Sequence, residues 1–296
     1  SEICCHSIAL TALMLHIVSD SSTLLNQAQA EEAGFHSVPL HVVVDQQTYK
    51  DYEDISPAEF IEKCNAHATV STSQPNIGEK LDLYNKILED PENRILDITI
   101  ADGLSGTYQS AMLAKDSCDD PSRVTVYNSK TLCGPQQGLV LKAVSYRDQG
   151  MNEKEIVEKL TKMSETDKST VACVDINYLL RSGRVSNLKG KVAEFMKLIP
   201  TVKKEDSGCT LTTLGAARTF GKIFEKVDAF FSSKGMDENY TIYVSHGGNP
   251  KMAQKAAAYF EKHYPNAKVI VNLLCPMFIS HGGPGCVSIQ CINLND

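Results

Sequence analysis

Apolar residues recur along this chain at two spacings, and its first half alternates between them. Short apolar runs predict buried strands at Met14–Ser19, Ser37–Val44, Ile95–Ile100 and Arg123–Tyr127. Between them, apolar positions three and four residues apart predict helices. Ser56-Pro57-Ala58-Glu59 reads as a capping box with proline at the first helical position, opening a helix to about His67. Gln74-Pro75 is expected to open the next, through Leu81, Tyr84 and Leu88. Another starts at Ser105, where Tyr108, Ala111 and Met112 keep helical spacing, and two more are expected over 136–148 and 152–165. Strands alternating with helices imply a largely parallel sheet covered by helices, so the fold class is α/β.

The pattern turns polar around Ser164-Glu-Thr-Asp-Lys-Ser169. At 296 residues the chain is long for one core. A boundary here gives an N-terminal α/β domain, 13–166, and a C-terminal one, 167–296. In the second half, strands are expected near 170–174, 209–214, 240–245, 267–273 and 286–292, with helices near 186–197, 218–234 and 249–264. A net charge of −7 argues against a nucleic-acid partner, which demands a basic face. The longest apolar stretch, Ile3 to Val18, is broken by His6, Ser7, Thr11 and His16, too short and polar to span a bilayer. No basic segment precedes it, so a secretory signal is not expected. Contact with membranes would be at most transient.

Ten cysteines include no Cys-x-x-Cys pair, which removes the usual zinc spacing. They read as reduced core residues of a cytoplasmic protein, as Cys173 does in Thr170-Val-Ala-Cys-Val174. No metal or cofactor is expected.

Three segments carry candidate chemistry. Ser105-Gly106-Thr107 follows a strand and starts a helix, whose free N–H groups favour an anion. Taken alone, capping is the better account of Ser105. Thr72-Ser73-Gln74-Pro75, lengthened by Ser71, offers more hydroxyls than capping needs. His281 stands in Ser280-His-Gly-Gly-Pro-Gly285, read as a glycine-rich turn between two strands where a ligand can approach the backbone. Its imidazole could donate to a carboxylate or serve as a base. Ser245-His246-Gly-Gly248 echoes it, directly before a helix. Gly103-Leu-Ser105-Gly-Thr lacks the last glycine of a nucleophile elbow, and neither a Walker loop nor His-Glu-x-x-His occurs.

Thr72-Ser-Gln-Pro75, Gly103-Leu-Ser-Gly-Thr-Tyr-Gln-Ser-Ala111, Tyr178-Leu-Leu-Arg-Ser-Gly-Arg-Val185 and His281-Gly-Gly-Pro-Gly285 occur in the order found in the DegV family. From about Leu13 onward the chain resembles that family. The resemblance implies two α/β domains enclosing one long-chain, palmitate-like fatty acid in a tunnel. Its carboxylate would be held at Thr72, Ser73, Ser105 and His281, with Gly106 and Thr107 completing the helix start. It also implies a non-catalytic role as partner of a fatty acid kinase, which phosphorylates the presented carboxylate, with Arg184 and its neighbour Arg181 at the docking site. The chain departs from the family in having Ser182 for the first glycine of a Gly-Gly-Arg motif, and Ser280 and Gly282 where threonine is usual around the histidine.

Burying about 14 methylenes gives roughly 11 kcal/mol, enough to outweigh an association cost of several kcal/mol. Arg181, Arg184, Lys189, Lys191, Lys203 and Lys204 stand out in an acidic chain, either as a docking patch or as a solvated helix face. Two rival functions use the same residues: a Ser105/His281 hydrolase of acyl esters, and a carrier of another small anionic metabolite.

Overall fold

A computed structural model describes residues 14–208 and 210–296. The apolar stretch up to Leu13, with Cys4 and Cys5, and also Cys209, lie outside the described residues. In chain order the elements are β1 (Leu15–Asp20), α1 (Gln27–Ala33), β2 (His36–Val38), β3 (His41–Val44), β4 (Gln47–Lys50), α2 (Pro57–Asn65), β5 (Val70–Thr72), α3 (Ile77–Leu88), β6 (Arg94–Thr99), α4 (Thr107–Ser117) and β7 (Val124–Asn128). There follow α5 (Cys133–Asp148), α6 (Glu153–Ser164), β8 (Lys168–Ala172), α7 (Ile176–Ser182), β9 (Ile199–Lys204), β10 (Leu211–Ala217), α8 (Phe220–Ser233), β11 (Thr241–His246), α9 (Pro250–His263), β12 (Lys268–Leu273), α10 (Pro276–Gly282) and β13 (Val287–Ile292).

The strands form three sheets. The first, β2-β1-β6-β7, is parallel throughout, as the alternation predicts. The second is a small antiparallel sheet, β4-β3-β5. The third, β10-β9-β8-β13-β11-β12, is antiparallel except for its β11–β12 pair. Every strand before residue 166 therefore pairs within the first two sheets, and every strand after 167 within the third. The apolar cores do not respect that division. Leu40, Phe60 and Val70 cluster with Tyr178, Met277 and Ile279, while α5 packs β1 and β6 together with Tyr243 and Ile292.

Several sequence readings are corrected here. Ser37–Val44 is two strands in different sheets, broken at Pro39. The helix expected over 186–197 is absent; only a 3-10 turn at Lys189–Lys191 forms there. Gly190 lies in that turn, and Asn187 and Lys197 on either side take positive φ of 59° and 62°, which no α-helix admits. Strand β9 went unread because its Pro200, Lys203 and Lys204 break the apolar run.

Candidate functional site

In the parallel sheet the chain leaves β1 for β2 on one side, while β6 lies on the other. Loops leaving the carboxyl ends of β1 and β6 therefore part and open a crevice, the usual ligand position in open α/β sheets. Asp20 bridges these ends. Its carboxylate accepts from Ile100 N at 3.0 Å and Ser22 N at 2.9 Å, and burial pushes its pKa up. A cavity of about 350 Å³ lies nearby, with walls from residues 70–76, 104–107, 181–184 and 277–281. All three candidate segments meet in it.

Thr72 ends β5, opposite Val42. The helix expected at Gln74-Pro75 begins later, at Ile77, and its cap is Asn76, whose side chain accepts from Gly78 N at 2.8 Å. Thr72 and Ser73 are therefore not needed as caps. The Ser73 hydroxyl is buried and has no hydrogen-bond partner among the described residues. Helix α4 likewise begins two residues after Ser105, at Thr107, with Gly106 as its cap residue. Ser105 Oγ lies 2.7 Å from Thr107 Oγ1 and accepts from Thr107 N at 3.2 Å. A Cβ on Gly106 would stand 3.0 Å from Gln74 Oε1 and 3.4 Å from Pro75 Cδ, so this glycine lets the two hydroxyl segments touch.

His281 is not in a turn; it occupies the last turn of α10. The glycines after it serve packing rather than ligand approach. A Cβ on Gly282 would meet Cys286 Sγ at 2.8 Å, and one on Gly283, at φ 79°, Tyr178 Cδ2 at 2.7 Å. His281 Nδ1 lies 2.7 Å from Ser182 Oγ at the end of α7. Burial, and then the Arg184 charge, push its pKa down to about 3, so the ring is neutral at physiological pH. His246 is elsewhere: its Nδ1 accepts from Gly248 N and Asn249 N, at 3.2 and 2.9 Å, ahead of α9.

Arg184 lies inside the cavity wall rather than on an outer face. Its Nε donates to Leu104 O and its Nη1 to Ser182 O, both at 2.8 Å, joining the loop after β6 to α7. Arg181 is exposed and its guanidinium lies 4.6 Å from the Tyr178 ring centroid. The expected basic patch is not one surface. Lys204 is buried on Asp167 at 3.0 Å and Lys203 is paired to Glu205 at 2.6 Å.

Two groups at the site escaped the sequence reading. Lys80 reaches the cavity from α3 and pairs, buried, with Asp97 of β6 at 2.6 Å; the Tyr84 hydroxyl donates to the same oxygen. An aspartate within the apolar run Ile95–Ile100 was the available signal. Asp51 is fully buried below α10, where its carboxyl accepts from Met277 N at 3.0 Å and Ser21 Oγ at 2.8 Å. Ser21 Oγ in turn accepts from Leu40 N at 2.9 Å. Asp51 thus holds two cavity walls, yet it stands in Lys50-Asp-Tyr-Glu-Asp54, which reads as an exposed turn.

A cavity near the sheet's switch point, lined by hydroxyls, a neutral imidazole and the guanidiniums of Arg181 and Arg184, can hold a small anionic group. A DegV domain-containing protein of Staphylococcus aureus is 29% identical over 274 residues, covering 92% of this chain and 96% of its own length. DegV of Bacillus subtilis, a fatty acid binding protein, superposes with a TM-score of 0.78 at 25% identity, over 94% of this chain and 99% of its own. A DegV family protein from Thermus thermophilus, described for its fatty acid binding, gives 0.85 at 24% identity, over 95% and 99%. A stearic acid-binding protein of Eubacterium ventriosum gives 0.82 at 21%, also over 95% and 99%. The model of the DegV family matches residues 14–294, and the chain belongs to that family.

Proposed function

We propose that this protein binds one long-chain fatty acid, palmitate-like in length, and performs no chemistry on it. Thr72, Ser73, Ser105 and His281 hold the carboxylate, with Gly106 and Thr107 presenting the start of α4. The observation that carries this reading is the Ser73 hydroxyl, buried beside the cavity without a partner among the described residues. Native proteins rarely leave such a group unsatisfied, and a carboxylate oxygen accepts the bond it lacks. Arg184 supplies a positive charge from within the wall, where Lys80 is already paired to Asp97. The chain forms two units, 13–166 and 167–296, and the acid lies between them; the partition of the sheets supports this.

Binding rather than turnover fits the partners already present. Ser105 is engaged by Thr107 and His281 by Ser182, and an imidazole pushed down to about 3 is a poor base for serine at neutral pH. The solved relatives named for fatty acids support the ligand class. The bound acid is presented to a fatty acid kinase in the cytoplasm. Arg181, exposed beside the cavity, is the docking residue, while Arg184 acts from inside.

Organic extraction of the purified protein, analysed by mass spectrometry, should release a long-chain acid in near-stoichiometric amount. Thr72→Ala combined with Ser105→Ala removes two donors to an anion, each worth about 1.5–3 kcal/mol, and should weaken palmitate binding by about a hundredfold or more in a folded protein. An empty protein that takes up no added palmitate would overturn the proposal.

A further inference from the structure

We infer that Ser182 is a positioning residue whose hydroxyl donates to His281 Nδ1, so that the imidazole presents Nε2–H, a donor, to the anionic head group. The inference rests on the fatty-acid reading for the ligand, but its structural half does not. Helix α7 ends at Ser182, where Gly183 at φ 69° turns the chain and sends Arg184 back. The Arg184 bonds to Ser182 O and Leu104 O fix that corner from both sides. The Ser182 side chain is thereby set against the last turn of α10, 2.7 Å from Nδ1.

The imidazole beside Arg184 carries a single proton at neutral pH, and its two nitrogens must divide the roles of donor and acceptor. A serine hydroxyl can rotate to donate or accept, so by itself it permits both tautomers. The ligand decides between them. An anion facing the ring is repelled by a lone pair and attracted by an N–H. With Nδ1 engaged as acceptor by Ser182, the proton stays on Nε2. Removing the hydroxyl leaves Nδ1 without a partner and lets the ring exchange tautomers or rotate, so the donor is present only part of the time. The site then favours an ionised head group less strongly over a neutral one, such as an ester.

The test uses delipidated full-length protein labelled with ¹⁵N-histidine. Long-range ¹H–¹⁵N spectra report which ring nitrogen carries the proton, with signals assigned by their loss in His281→Gln. Wild type with added palmitate should show protonated Nε2 and hydrogen-bonded, unprotonated Nδ1, whereas without it both tautomers are open to the ring. Ser182→Ala should mix the tautomers and, with the donor present about half of the time, weaken palmitate binding roughly twofold, while leaving methyl palmitate binding unchanged. Ser182→Thr, which keeps a hydroxyl, should restore both. Protonated Nδ1 in palmitate-bound wild type, or an Ala variant matching wild type in spectrum and affinity, overturns the inference. If wild type binds no palmitate but its ring pattern still depends on Ser182, the ligand reading fails and the positioning role stands.

Discussion

A carboxyl without water around it gives up its proton late, and Asp51 is pushed up to about 7 by burial. Ser21, Met277 N and Cys275 act in the opposite direction, Asp20 reinforces the rise, and Tyr52 and Cys133 share the same buried neighbourhood. Its unfolded value is 3.8, so between 3.8 and about 7 the folded state binds the extra proton. The contribution to stability is fully present below 3.8 and is lost as pH rises through 7. Asp51→Asn stays neutral at every pH. Relative to wild type it should gain roughly 4 kcal/mol between pH 4 and pH 8, read from urea denaturation at each pH. A difference that does not change with pH would show that Asp51 is already ionised in the fold. His281 works with the opposite sign. Its folded value, about 3, lies below the unfolded 6.5, so its contribution is fully present above 6.5 and is lost as pH falls toward 3. His281→Gln should therefore soften acid unfolding in that window.

At the scale of elements, caps separate what the sequence made legible from what it did not. The Ser56 capping box and its Pro57 were readable because both signals are local, and α2 begins where they predict. At Gln74-Pro75 the same rule pointed two residues early, since Asn76 supplies the cap and the proline only precedes it. Helix α10 was missed because it has seven residues and ends in Gly282-Gly283-Pro284-Gly285, which reads as a turn. The hydroxyls and the histidine of the cavity were nonetheless found, because short polar motifs stand out between apolar runs. Asp51, Lys80 and the Ser182–His281 pair are products of tertiary packing, and no spacing in the chain announces them. The reassigned cap makes a paired prediction. Asn76→Ala should cost about 1 kcal/mol of stability, whereas Ser73→Ala should cost nothing or stabilise the ligand-free protein by removing an unsatisfied buried hydroxyl. Urea denaturation of the two delipidated variants distinguishes these outcomes; equal losses would return Ser73 to a structural role.

Across the whole molecule, one helix ties the parallel sheet to the six-stranded one. The first turns of α5 lie so close to Tyr243 of β11 that a Cβ on Gly134 would stand 2.3 Å from its Cγ, and one on Gly138 2.6 Å from its hydroxyl. The cavity, too, draws walls from both sets of strands. Unfolding of either half should therefore remove the cavity, and ligand should stabilise both halves together. Trp is absent from the chain, so single-tryptophan reporters carry no background. Tyr127→Trp on β7 and Phe220→Trp at the start of α8 replace half-buried aromatic residues, one in each half of the chain. In urea, both reporters should show the same midpoint. Palmitate at a hundredfold excess over its Kd should add about 2.7 kcal/mol to each. A midpoint that moves at Phe220→Trp but not at Tyr127→Trp would mean that the head group is held by the second half alone. That outcome would remove Thr72, Ser73 and Ser105 from the site whatever ligand it takes, because a group contributed by the first half must resist its unfolding when the ligand is bound.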